Sequence, residues 1–501
     1  MKICKRKDCL QKKILQTAIK IMTDKISMLM DFYELTMAQS FFKQNKHLEI
    51  GIFDFFYRAN PFGNGYAIFA GLEQFISYIQ NLKFSEEDIS YLNKLKKFDK
   101  DFLEYLKNFK FDGDIYSVKE GSVIFPNEPL IKITAPILQA HIIEGALLNI
   151  INHQSLIATK ASRIVQSAGD NNVMEFGLRR AHSPSAALYG SRASIIGGIK
   201  FTSNVMAGQI FDIPIAGTHS HSWVMSFDTE LEAFEAYAIN DPCILLVDTY
   251  NTLKSGVPNA IKIFDKLKKQ GSTNNYGIRL DSGDLAYISK KAREMLDKAG
   301  HENAIIAASN DLDENLISDL KQQGAKISLW GIGTNLITSS PKPSFGGVYK
   351  LSGIYKQNKL IPKIKISETP EKINNPSNKK LIRIYDKQTN KMIADLITLE
   401  NENINTNEDL TLFHPIQTWK KMKIKKSNYY VKDMLIKIFE KGNLTYKNPS
   451  VMEIHEYANK EKETLWEEYK RITNPNIMPV DLSQKLYDLK QKMINDIYDT
   501  F

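Results

Sequence analysis

Between about residues 170 and 340, short apolar runs alternate with stretches whose apolar residues recur at helical spacing. That is the pattern of repeated strand-helix units. Val173–Phe176, Ile213–Ala216, Ile244–Val247, Gly277–Leu280, Ala304–Ala308 and Ile327–Trp330 read as buried strands. Glu230–Ile239, Ala260–Lys269, Leu285–Ala299 and Glu314–Gln323 read as helices between them. Gly271, Gly300 and Gly324 stand just past three of these helix ends, where a left-handed residue closes a helix cheaply. Alternation of this kind predicts a parallel sheet, open or closed into a barrel.

The flanks follow other patterns. An aromatic-rich run at Phe53–Phe62, a helix at Leu72–Gln80 and a charged helical stretch at Ser85–Lys107 suggest a separate α+β domain over residues 25–135. Ile137–Gln166 reads as one long helix, or two abutting ones, leading into a barrel domain spanning residues 136–350. Beyond it the chain turns rich in Lys and Asn, with a loop at Thr369–Lys379, a hairpin at Leu381–Leu399 and a last helix at Gln484–Tyr498. This region, residues 351–501, is expected to pack on the N-terminal domain and barrel and to take no part in the chemistry. No internal repeat is found.

Polar and glycine residues gather directly after the predicted strands, at the carboxyl ends where parallel α/β folds build their sites. Phe176 leads into Gly177-Leu178-Arg179-Arg180, Ala216 into Gly217-Thr218-His219-Ser220-His221, and Val247 into Asp248. Leu280 leads into Asp281-Ser282-Gly283-Asp284, Ala308 into Ser309-Asn310-Asp311, and Trp330 into Gly331-Ile332-Gly333-Thr334. Arg279 and Asp281, two apart on one strand, point to the same face. They can bind an anion and a Mg²⁺-bound diphosphate, or form a strand-end ion pair followed by a capping Asp284. Arg179 and Arg180 suit phosphate geometry, although Ser183-Pro184 behind them is first a helix start. The Gly331–Asn335 turn offers backbone N–H groups to a phosphate, or is simply a turn. His219 and His221 can be metal ligands, a base or nucleophile, or a structural pair.

Composition narrows the classes. With 501 residues and 43% hydrophobic content the chain can bury several cores. The excess of 66 Lys+Arg over 57 Asp+Glu is spread along the sequence, which permits nucleic-acid binding but fits an enzyme of phosphorylated substrates equally well. Cys4, Cys9 and Cys243 have no metal or disulfide spacing, which points to a reducing, cytoplasmic compartment. No apolar run reaches the roughly 18 residues of a membrane span. Residues 1–24 form a basic extension whose apolar stretch is broken by Lys13 and Lys20, unlike a signal peptide. A frayed extension, or a start at Met22 or Met28, accounts for it.

Taken with their order, these motifs resemble the nicotinate phosphoribosyltransferase family from about Asp31 onward. The likeness rests on Asp31–Met37, Phe53–Arg58, Glu175–Arg180, Thr202–Asn204, Gly217–Ser222, Val247–Thr252, Arg279–Asp284 and Gly346–Leu351, with Ile366–Lys372 and Pro479–Ser483 in the tail. The resemblance implies an α/β fold, an irregular parallel α/β barrel with a second α+β domain built from the N- and C-terminal parts. It also implies a homodimer with shared active sites that binds neither nucleic acid nor membrane.

The reaction it implies joins nicotinate to the ribosyl carbon of 5-phosphoribosyl 1-diphosphate, giving nicotinate mononucleotide and diphosphate. ATP hydrolysis through a phosphohistidine drives this ligase-class step, with Mg²⁺ as cofactor, at the entry of nicotinate into NAD. By the family pattern His221 is the phosphorylated residue, with Asp248 and Asp281 as catalytic partners and Mg²⁺ ligands. Asp248 alternatively orients His221. The ring is expected between Phe176 and Tyr33 of the partner subunit, its carboxylate bound by Ser203, Thr218 and Arg279. Nicotinamide-using relatives look to carry an aspartate in place of Ser203, so serine favours the acid. Arg58 of the partner subunit, Arg179, Asn310, Asp311, Gly333 and Thr334 are the expected contacts of phosphoribosyl diphosphate.

Overall fold

The computed structural model describes residues 26–499, so the basic extension expected over residues 1–24 lies outside the described residues. Two units make up the chain. One takes the described residues up to Leu156 together with those from Ser344 onward, and the other is Ile157–Pro343.

In the first unit the aromatic run becomes the strand Ile50–Tyr57, held antiparallel between Gly347–Lys356 and Ile131–Pro136. Phe55 stands opposite Tyr349 on one side and Ile131 on the other, so residues some 300 apart in sequence share one core. This seven-stranded sheet continues through Asp114–Ser117 and Ile436–Glu440. The charged stretch forms two helices, Glu86–Lys94 and Lys100–Lys107, rather than one. Lys96 between them takes a left-handed φ of 54°, the conformation that ends helices. Likewise 137–166 is two abutting helices, Ile137–Ile142 and Glu144–Ala168, and the unit boundary falls inside the second.

The tail holds more structure than its composition suggests. Its predicted hairpin is Lys379–Asp386 against Met392–Leu399, within a six-stranded sheet. Arg383, fully buried there, donates to Asp395 at 2.7 and 2.9 Å and to Glu461 at 3.1 Å, tying both strands to the helix Val451–Glu463. The last helix is Gln484–Tyr498, as the periodicity predicts.

The second unit carries six parallel strands: β1 (Asn172–Glu175), β2 (Phe201–Thr202), β3 (Cys243–Leu246), β4 (Tyr276–Leu280), β5 (Ile305–Ala308) and β6 (Leu329–Ile332). Their order is β2-β1-β6-β5-β4-β3, every neighbouring pair parallel. This is the curled parallel sheet of an irregular α/β barrel. β2 escaped prediction because two residues carry no period. Ile213–Ala216, predicted as a strand, makes one parallel bridge, Thr202 to Ile215. Pro214 beside it has no N–H to extend a ladder. The helices follow their predictions: Glu230–Tyr237, Val257–Lys269, Leu285–Lys298 and Glu314–Gln322. Gly271, Gly300 and Gly324 all have positive φ, 70°, 77° and 79°. Cys243 is buried and free, and among the described residues no helix is long and apolar enough to cross a membrane.

Candidate active site

The carboxyl ends of five of the six strands, all but β3, open on one cleft of about 1340 Å³, including the part open to solvent. Phe176, Arg179, Ser203, Thr218, His221, Arg279 and Asp281 line it, as do Asn310, Asp311, Gly333 and Thr334. Arg279 lies in β4 and Thr218 and His221 follow the bridge at Ile215, while the others come just after a strand. Asp248 lies just beneath, its side chain 2% exposed.

Phe176 leaves β1 with its N–H on the Ile332 carbonyl at 2.7 Å. The next strand has to be glycine at Gly331, because a Cβ there would sit 2.6 Å from the Phe176 ring. Ser203 follows β2, its N–H on the Glu175 carbonyl at 2.9 Å. Glu175 itself is fully buried, accepting from the Gly177 N–H and from the hydroxyls of Ser191 and Thr202. Burial pushes its carboxyl up from its ordinary value, and the Thr202, Gly177 and Ser191 donors pull the other way.

The two histidines of the Gly217–Ser222 segment are not equivalent. His219 is buried, and its Nε2 accepts the Leu246 N–H at 3.0 Å. That nitrogen therefore carries no proton, and Nδ1–H faces the Ser220 carbonyl at 3.3 Å. Burial lowers the His219 pKa to about 4, so the ring is neutral. With both nitrogens occupied it is neither nucleophile nor metal ligand. His221 is 40% exposed in the cleft. Its Nδ1 lies 3.2 Å from Thr249 Oγ1, while Nε2 is 3.7 Å from Asp281 Oδ2 and 4.0 Å from Asp248 Oδ1.

The carboxylates are fixed from below. Asp248 Oδ2 accepts from the Asp281 N–H at 3.0 Å and the Ser282 hydroxyl at 2.6 Å, and Ser309 donates to Asp281 Oδ1. Asp248 Oδ1 is buried without a hydrogen-bond partner among the described residues. Arg279 donates to Thr218 Oγ1, while its Nε is buried and unpaired among the described residues. Burial lowers the Arg279 pKa, against the raising pull of Asp281 and Asp248. Asn310 and Asp311 take positive φ of 101° and 43°, a conformation costly outside glycine and frequent at sites. Asp284 caps the helix Leu285–Lys298, accepting from Tyr287 N–H at 2.9 Å, and Ser183 caps Pro184–Ile196. Their part here is structural. Among the described residues no cluster of three His, Cys, Asp or Glu side chains stands ready for a metal.

Three family models match the chain: the nicotinate phosphoribosyltransferase N-terminal domain over residues 28–152, the family itself over 171–394, and its C-terminal domain over 378–490. The chain belongs to the nicotinate phosphoribosyltransferase family. It is 47% identical over 476 residues to the nicotinate phosphoribosyltransferase of Bacillus subtilis, covering 95% of this chain and 96% of that one. The Caenorhabditis elegans enzyme of the same name is 35% identical, with 92% of each chain covered. Among solved structures, human nicotinic acid phosphoribosyltransferase superposes with a TM-score of 0.79 at 26% identity, over 93% of this chain and 99% of that one.

Two residues to which the family pattern gives a role, Tyr33 and Arg58, belong to the first unit. Tyr33, on the helix Phe32–Lys43, is exposed, and Arg58 follows the strand Ile50–Tyr57 with its Nε buried and unpaired among the described residues. Sequence reasoning gave no role to Glu175, Thr249, Ser282 or Ser309. All four sit within three residues of strand ends, a signal that was present in the alternation but carried no hint of their partners.

Proposed function

We propose that this member of the nicotinate phosphoribosyltransferase family joins nicotinate to 5-phosphoribosyl 1-diphosphate, forming nicotinate mononucleotide and diphosphate, and couples that step to ATP through His221. The observation that carries the reading is the orientation of His221. Nδ1 lies 3.2 Å from Thr249 Oγ1 and Nε2 faces the cleft and Asp281; in the tautomer whose Nδ1–H donates to Thr249, the Nε2 lone pair is the one turned to the cleft. A neutral imidazole so held can attack the γ-phosphate of ATP: the new N–P bond forms as the bond to ADP breaks, and water later releases phosphate.

Arg279 fits the nicotinate carboxylate. Its Nε is a buried donor left unpaired among the described residues, and Nη1 donates to Thr218. Ser203 offers a hydroxyl on the same side without the charge repulsion an aspartate would bring. Phe176 supplies one face for the ring, and Tyr33 of the partner subunit the other in a homodimer. Offset stacking of this sort contributes about 0.5–1.5 kcal/mol per pair.

Arg179, Gly333 and Thr334 suit the phosphates, with Arg58 of the partner subunit and the strained Asn310 and Asp311 completing the set. Asp248 and Asp281 are an oxygen donor set that fits Mg²⁺, since Asp248 Oδ1 is buried and unsatisfied and Asp281 Oδ2 faces the cleft. What Mg²⁺ supplies when bound is neutralisation of the charge that collects on the diphosphate oxygens. Thr249, not Asp248, meets the Nδ1 of His221, which favours the metal role for Asp248 over an orienting one. A reducing, cytoplasmic setting accords with a free Cys243.

The test is product detection with purified protein, phosphoribosyl diphosphate and Mg²⁺, offering nicotinate or nicotinamide with and without ATP. ATP-stimulated nicotinate mononucleotide is expected. Preference for the amide overturns the substrate assignment, and no product with any combination overturns the function.

A further inference from the structure

Glu175 is a buried carboxylate beside the cleft that the proposed chemistry leaves unused. It has no contact with solvent, yet it spends both oxygens on three donors from three elements. Oε1 accepts the Gly177 N–H. Oε2 accepts the hydroxyls of Ser191, on the helix Pro184–Ile196, at 2.9 Å and of Thr202, at the end of β2, at 2.5 Å. Thr202 Oγ1 in turn accepts the Asn204 N–H at 3.0 Å, and Asn204 Nδ2 reaches Ser191 Oγ at 3.2 Å. Ser191, Thr202 and Asn204 are themselves buried.

The arrangement brackets two residues of the cleft. Phe176 lies between Glu175 and Gly177, both ends of which the same side chain fixes. Ser203 lies between Thr202 and Asn204, joined through the Thr202 hydroxyl, and its own N–H sits on the Glu175 carbonyl at 2.9 Å. One side chain thus ties together the chain on both sides of Phe176 and of Ser203. A charge buried merely to hold strand ends together is replaceable by apolar packing at little loss. A charge that orients five polar groups around two binding residues is not, because apolar contacts have no direction.

We infer that Glu175 is a positioning residue for nicotinate, holding Phe176 and Ser203 at the separation the pyridine ring requires. The inference rests on the proposed nicotinate site and adds to it a residue that touches no substrate. Of the proposed phosphoribosyl contacts within this unit, Arg179 alone follows the strand that Glu175 ends, while Asn310, Asp311, Gly333 and Thr334 follow β5 and β6.

Steady-state kinetics of Glu175→Gln, Glu175→Ala and Thr202→Val test it. Glu175→Gln keeps the shape but places an NH₂ where an acceptor is needed, and Thr202→Val removes one donor isosterically. The expected result is a KM for nicotinate raised about 10-fold in Glu175→Gln and about 3-fold in Thr202→Val. The KM for phosphoribosyl diphosphate should stay within about 2-fold in both, and the preference for nicotinate over nicotinamide should narrow. Parallel rises in both KM values, a fall in kcat alone, or an unchanged nicotinate KM overturn the inference. Should neither Glu175 variant fold, Thr202→Val decides by the same criteria. If the unmodified protein makes no nicotinate mononucleotide, the proposed function has failed first, and that is seen before any variant is measured.

Discussion

The Leu246 N–H donates to Nε2 of His219 at 3.0 Å, across the side of β3 that has no neighbouring strand. β3 ends the sheet at one side, and at the other β2 is flanked only by the bridge at Ile215. His219, three residues beyond Ala216, satisfies an N–H that a closing strand would otherwise have to receive. His219→Ala should therefore act through stability. Leaving that buried N–H unpaired costs about 1–3 kcal/mol. Because burial lowers the His219 pKa to about 4, the unfolded state binds more protons between that value and the ordinary histidine range. Its contribution is intact at neutral pH and is lost as pH falls from about 6.5 toward 4, at up to about 1.4 kcal/mol per unit. Denaturant melts of the two proteins across that interval should show a smaller acid loss in the variant.

His221→Ala should behave in the opposite way. The side chain is half-exposed and its one hydrogen bond, to Thr249, is at the surface of the cleft. Folding stability should stay within about 0.5 kcal/mol of the unmodified protein. Acid-labile phosphate transferred from γ-labelled ATP should vanish, as should ATP stimulation, while slow ATP-independent transfer persists. Label retained in this variant means that another residue is the phosphoryl acceptor.

These two histidines show what a sequence carries and where it stops. The run Gly217–Ser222 was placed at the sheet's carboxyl rim because an apolar segment precedes it and a polar one follows. Which ring faces the cleft depends on Leu246, 27 residues away, and on Thr249, 28 away. No local period encodes such contacts. β1 and β3–β6 were legible as short apolar runs ending in polar residues, whereas β2 is too short to carry a pattern. The tail's sheet stayed hidden for another reason. Strands such as Lys421–Ile424 lie at its edge, and lysine there reads as loop although it suits a strand whose outer side must not pair.

Glu34 predicts a pH response from the other unit. It is fully buried, and burial, then the nearby Glu144 charge, pushes its pKa up to about 8. The folded state therefore binds a proton that the unfolded state has released above the ordinary carboxylate range. Stability from this group is complete at acid pH and falls as pH rises toward 8, by up to about 1.4 kcal/mol per unit. His219 opposes it below about 6.5, and since burial also raises Glu128 and Glu175 and lowers Lys462 and Lys490 to about 8, the Glu34 share is the difference between the unmodified protein and Glu34→Gln. Thermal melts between about pH 6.5 and 8 should decline more steeply for the unmodified protein than for Glu34→Gln. Equal slopes exclude Glu34 as the source.

Gly331→Ala should damage nicotinate binding without touching a substrate contact. Gly331 lies in β6, paired with Met174 of β1, and its missing side chain is the space that the Phe176 ring occupies. An alanine Cβ would stand 2.6 Å from Cε2 and 2.7 Å from Cδ2 of that ring, closer than carbon atoms approach, so the ring must move. Overpacking of this kind costs about 1–3 kcal/mol, and here the displaced group is the proposed stacking surface. The KM for nicotinate should rise about 10-fold. A strain confined to the backbone would produce a loss that is independent of Phe176, and a double-mutant cycle distinguishes the two. In Phe176→Leu, where the planar ring is already gone, adding Gly331→Ala should change the KM by less than about 2-fold. Additive losses instead mean that Gly331 serves the strand and not the ring.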